Sequence, residues 1–68
     1  MEIFEMVKQF RLEHDMTIAE MARSANLGVG TIHRIENGQG RPTDRTLYKL
    51  QRAFPELPVF KARSRGAR

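Results

Sequence analysis

The sequence predicts an all-α fold, a compact bundle of four to five short helices. Three observations point there. Apolar residues recur at helical spacing in successive windows. Each window is bracketed by a residue suited to start a helix and one that tolerates a left-handed exit. Apolar and polar residues nowhere alternate as a half-buried strand requires.

The first helix is expected from about Glu2 to His14. Ile3, Met6, Val7 and Phe10 fall at i, i+3, i+4 and i+7, and Asp15 follows as a tolerable left-handed exit. The second opens at Thr17, with Glu20 three residues on. This is the capping-box spacing, in which the hydroxyl takes the N3 amide and the carboxylate reaches back. It runs through Met21, Ala22 and Ala25 and stops at Asn26. The third spans about Gly28 to Asn37, on the stripe Val29, Ile32, Ile35, with Gly38 just beyond its end. A loop, Gln39 to Pro42, leads to the fourth. Thr43 is its N-cap, Asp44 suits the positive end of the helix dipole, and Leu47, Leu50, Ala53 and Phe54 form its stripe before Pro55 stops it. Residues 56–60, ELPVF, suggest a short turn or helix held by Leu57, Val59 and Phe60. Residues 61–68, KARSRGAR, have no periodicity and no large apolar side chain, so a basic, disordered tail is expected after a domain of residues 1–60.

Sixty-eight residues make one small domain. A chain of this size buries only about 60% of its unfolded surface, so its core is small. It has no cysteine, hence no disulfide framework and no cysteine zinc site. No apolar run exceeds three residues, and the N-terminus lacks the pattern of a signal peptide. A soluble, cytoplasmic protein with no membrane partner is expected.

The net charge of +4 is unevenly placed. Up to Leu27, Lys8, Arg11 and Arg23 face Glu2, Glu5, Glu13, Asp15 and Glu20, a net acidic segment. From Gly28 to Phe54, Arg34, Arg41, Arg45, Lys49 and Arg52 outnumber Glu36 and Asp44, and the last residues are basic again. A basic, arginine-led half fits a polyanionic partner, most simply nucleic acid; a solvated face with a free tail fits the charge equally well.

Enzyme chemistry finds little support. His14 and His33 lack second ligands at metal spacing, and no nucleophile has a base beside it. The four methionines read as start and core filler. No cofactor, metal or catalytic residue is expected.

The second and third helices, joined by the tight turn Asn26–Leu27–Gly28, make a helix-turn-helix candidate. The second helix of such a pair enters the DNA major groove, about 12 Å wide. The opening of that helix is unusual, because each glycine inside a helix costs about 1 kcal/mol relative to alanine, and Gly28 and Gly30 flank Val29 there. On the residues alone these glycines also fit a plain turn, and Arg34 a solvated charge.

The spacing of Arg11, MTIAEMA (Met16 to Ala22), TIHRIENG (Thr31 to Gly38) and RPT..TLYKL (Arg41 to Leu50) resembles the phage repressor/Cro-type helix-turn-helix domains, the XRE family. The resemblance covers about Val7 to Phe54 and implies a lambda repressor-like bundle that binds double-stranded DNA. It places Gly28 at the family's N-cap, where glycine is a fair substitute for serine or threonine. It places Gly30 on the DNA-facing side, where a missing Cβ permits close approach. Val29 then offers methyls to a thymine methyl, and Arg34, one turn on, can reach guanine O6 and N7. Thr31 and His33 flank that face, toward bases or phosphates. The resemblance further implies an ion pair between Arg11 and Glu36, tying helix one to the end of helix three.

Phosphate contacts are expected at Thr17 and Ile18, at Asn37 with the loop amides from Gly38 to Arg41, at Arg41, and more weakly at Arg45 and Tyr48. Asn37 reads equally as a helix C-cap, and Tyr48 as a half-exposed packing residue. The family's glutamine at the start of helix two is Ile18 here, so only a backbone amide remains for a phosphate. Asp15 replaces a frequent glycine, which affects only the turn.

The resulting expectation is a transcriptional regulator, a repressor that binds a near-palindromic operator as a homodimer with half-sites about 34 Å apart. Leu57, Val59 and Phe60 are candidates for the dimer surface and equally for closing the monomer core. The rival expectation is an antitoxin-type module that holds a partner protein, a toxin or anti-repressor, and controls its own gene.

Overall fold

A computed structural model describes residues 2–59. Four helices follow in order: α1 (Ile3–Glu13), α2 (Ile18–Ser24), α3 (Val29–Glu36) and α4 (Asp44–Ala53). There is no strand among the described residues. Helix α3 packs against both α2 and α1. The expected basic tail, residues 61–68, and Phe60 lie outside the described residues.

Each helix begins where a side chain or an extended residue can serve the orphan amides of its first turn. At α2 the Thr17 hydroxyl accepts from the Glu20 N–H at 3.0 Å, and the Thr17 N–H donates to the Glu20 carboxylate at 2.8 Å. At α4 the Thr43 hydroxyl accepts from the Thr46 N–H at 3.2 Å. At α1 the Glu2 N–H donates to the Glu5 carboxylate at 3.2 Å.

The first three helices end in the same way. A residue with positive φ follows the C-cap: Asp15 at 54°, Asn26 at 57° and Gly38 at 69°. The next N–H then folds back onto a carbonyl of the last turn. Met16 donates to Arg11 at 3.0 Å, Leu27 to Ala22 at 2.8 Å and Gln39 to Arg34 at 2.9 Å. These are Schellman closures, each turning the chain sharply; the one at Asn26 lets α3 pack on α2. Helix α4 ends differently. The Phe54 N–H closes on Leu50 at 2.8 Å, Phe54 leaves the helical region, and Pro55 prevents continuation.

Val7, Met21, Ile32, Leu47 and Leu50 are fully buried, with Ala22, Ala25 and Ile35 beside them. Burying a side chain of this size contributes about 1.5–3 kcal/mol, so this small set supplies much of the driving force. Phe10 and Phe54 close one side edge to face, ring centroids 5.4 Å apart. Beyond α4 a turn at Pro55 and Glu56 brings Leu57 and Val59 back into the core, at 1% and 0% exposure. Of the two roles open to them, they fill the monomer interior. A side chain with no exposed surface cannot meet a second copy, so the dimer surface expected at Leu57 and Val59 is corrected.

Candidate nucleic-acid interface

The geometry of α3 follows from its sequence period. Ile32, Ile35 and Glu36 are buried and set its inner side. With 3.6 residues per turn, Gly30, His33, Arg34 and Asn37 fall on the opposite side, at i, i+3, i+4 and i+7, and all four are exposed. Val29 borders this stripe and is 52% exposed, a large apolar side chain left in water. Thr31 lies at the other edge and is half-buried. The Arg34 side chain has no hydrogen bond or ion pair among the described residues, so its guanidinium is free to engage a ligand. The Asn37 carboxamide donates to the His33 ring, 3.2 Å from Nδ1, which joins these two polar groups at the C-terminal end of the stripe.

Two braces fix this helix. The Arg11 guanidinium holds the Glu36 carboxylate through two parallel bonds, Nε to Oε2 at 2.6 Å and an Nη to Oε1 at 3.0 Å, and donates a third to the Met16 carbonyl at 2.8 Å. The two side chains are only 13% and 6% exposed. The hydrogen bond to Glu36 and its charge outweigh the effect of burial and hold the Arg11 proton above its ordinary range. At the other end, the Lys49 ammonium on α4 donates to the Asn26 carbonyl at 3.3 Å and supports the turn between α2 and α3. Nothing in the sequence marks Lys49 for this task, because a lysine on a basic helix reads as solvated.

Gly28 has φ −78° and ψ 152°, an extended N-cap conformation open to any residue. Its carbonyl accepts from the Thr31 N–H at 3.1 Å. Gly30 is helical, and a Cβ there would meet nothing within 4 Å. The loop after α3 divides its amides. Those of Gly38 and Gln39 are donated to Ile35 and Arg34, while those of Gly40 and Arg41 have no hydrogen-bond partner among the described residues. The expected group of four loop amides thus narrows to two. Gly40 takes φ 68°, a conformation that favours glycine, and Arg41 and Arg45 are exposed beyond it. Tyr48, one turn past Arg45, is 58% exposed.

At the start of α2, Ile18 turns its side chain into the core, leaving its backbone at the helix mouth. Thr17 is exposed. Its hydroxyl oxygen accepts from Glu20, so its own proton remains available to an acceptor. His14 is set apart from this region. It stacks on Phe10 at 4.1 Å, and its Nδ1 donates to the Phe10 carbonyl at 2.9 Å, closing the end of α1.

The arrangement therefore presents one narrow outward helix face carrying a free arginine, flanked by unpaired loop amides and exposed arginines. It is suited to an anionic, grooved partner. No curated protein and no solved structure matches the chain. A family model described as helix-turn-helix matches residues 7–59, which takes in all of α2, α3 and α4 and most of α1. The chain thus belongs to the XRE-type helix-turn-helix family of DNA-binding regulatory domains.

Proposed function

We propose that this protein is a sequence-specific repressor that covers a promoter by placing α3 in the major groove of a near-palindromic operator. The observation that carries the reading is the outward stripe of Gly30, His33, Arg34 and Asn37 with a free guanidinium, on a helix whose other side is fully committed to the core. Val29, Gly30 and Arg34 read base edges, with Thr31 and His33 beside them. Thr17, the Ile18 amide, Asn37, Arg41 and Arg45 hold phosphates and fix the register.

One such module makes few contacts, so two copies bind half-sites about one helical turn, roughly 34 Å, apart. Their contact lies on surfaces other than the buried Leu57 and Val59 side chains. The DNA-binding domain comprises residues 1–60. The protein works on DNA in the cytoplasm.

Selection from a random duplex library tests the reading. A symmetric consensus with two half-sites one turn apart is the expected result. Recovery of unenriched sequence, or affinity that does not fall with salt, would overturn it. Co-purification of a stoichiometric partner protein from the native host would instead support the antitoxin-type role.

A further inference from the structure

Helix α4 buries Leu47 and Leu50 in the core. Its Thr43, Thr46 and Gln51 side chains make hydrogen bonds within the helix or at its own ends. Lys49 behaves differently. Its ammonium crosses to the turn between α2 and α3 and donates to the Asn26 carbonyl at 3.3 Å, 23 residues back along the chain. No other donor meets that carbonyl among the described residues. Asn26 is the left-handed residue after α2, with φ 57°. Its carbonyl belongs to the peptide shared with Leu27, two residues before Val29 opens α3.

We infer that Lys49 is a positioning residue for DNA recognition: it touches no base, and by holding the Asn26 carbonyl it fixes the tilt at which α3 enters the groove. This rests on the proposed DNA-binding face and adds a residue outside it. Helix α3 has eight residues, a rod of about 12 Å. Its far end is fixed at Glu36, which Arg11 grips at 2.6 and 3.0 Å. Its near end has no side-chain cap, since Gly28 offers none. The turn peptide held by Lys49 supplies the missing anchor. A rod held at both ends keeps its angle, and one released at the near end pivots about the far one. Val29 and Gly30 lie at the near end, so a pivot moves them most. Contacts to base edges are short and directional and do not survive such a shift, whereas phosphate contacts from Arg41 and Arg45 tolerate it. The Lys49 bond lies at the surface, away from the fully buried side chains, so its loss leaves the core intact.

The test is Lys49→Met, which keeps the apolar stem and removes the donor. It is compared with the wild type on the library-selected duplex and on a scrambled duplex of equal length, over a range of salt and well below the melting temperature. The expected result is a preference for the selected duplex reduced at least about fivefold, the size of one hydrogen bond. Scrambled-duplex affinity should stay within about twofold of wild type, with the same salt slope. In the free protein the Leu27 amide should shift in the NMR spectrum. An equal loss on both duplexes, with a slope shallower by about 0.9, would make Lys49 a phosphate contact and overturn the inference. So would a lower Tm with full preference retained, which leaves the lysine a role in stability alone, or a Leu27 amide that does not move. If the wild type itself prefers no duplex, the proposed function falls. If the wild type discriminates and Lys49→Met does so equally well, only the role of Lys49 falls.

Discussion

Replacing Arg11 with methionine keeps much of the apolar stem but removes the guanidinium. Three hydrogen bonds go with it, two to Glu36 at 2.6 and 3.0 Å and one to the Met16 carbonyl at 2.8 Å. The Glu36 side chain is only 6% exposed, and no other hydrogen-bond partner serves its carboxylate among the described residues. Breaking one member of a buried pair costs about 3–5 kcal/mol, far more than the ~1 kcal/mol of an exposed pair, because a buried charge is left alone. A domain of this size has roughly 3–10 kcal/mol in total. Each kcal/mol moves Tm by about 4–8 °C, so a fall of at least about 12 °C is expected in a thermal melt followed by circular dichroism. The companion change Glu36→Leu should restore much of the loss in the double variant, since the stranded charge is gone. The Arg11 proton is held more tightly in the folded state than in the unfolded one. Its contribution is therefore complete below the ordinary arginine range and is lost only as pH rises through the higher folded value. The cost of Arg11→Met should then be equal at pH 7 and pH 9. A cost below about 1 kcal/mol, or a double variant no better than Arg11→Met, would refute the reasoning.

Other substitutions separate the remaining parts of the account. Arg34→Ala should lose about 1–3 kcal/mol on the selected site and relax preference at one position per half-site, scored by repeating the library selection. Arg41→Ala should weaken all duplexes alike and make the plot of log affinity against log salt shallower by about 0.9. Thr17→Ala removes the hydroxyl that receives the Glu20 N–H and should cost about 1 kcal/mol in urea denaturation, with the fold retained.

The helices were legible because this chain states its boundaries locally. Thr17 and Thr43 cap, Asp15, Asn26 and Gly38 turn left-handed, and Pro55 stops α4. Each signal acts within about five residues, the range at which sequence spacing alone determines geometry. The family resemblance put Gly30 and Arg34 on the outward side of α3, and burial of Ile32 and Ile35 leaves both facing away from the core. What escaped depends on contacts distant along the chain. Lys49 reaches a carbonyl on another turn, 23 residues away. Leu57 and Val59 fit an interior or an interface by sequence, and only the return of the chain after Pro55 decides for the interior. The division of the loop amides at Gly38 to Arg41 is a local matter by contrast: the closure of α3 at Gly38 takes two of them for the carbonyls of Ile35 and Arg34.

Titrating the library-selected duplex into the isotopically labelled protein, and following every backbone amide by NMR, tests the central claim most directly. The largest shifts should fall on Val29, Gly30, His33, Arg34 and Asn37, with further changes at Ile18, Gly40 and Arg41, while Lys8 and Leu12 on the outer side of α1 stay still. Shifts confined to α1, or none along α3 at saturating duplex, would contradict it.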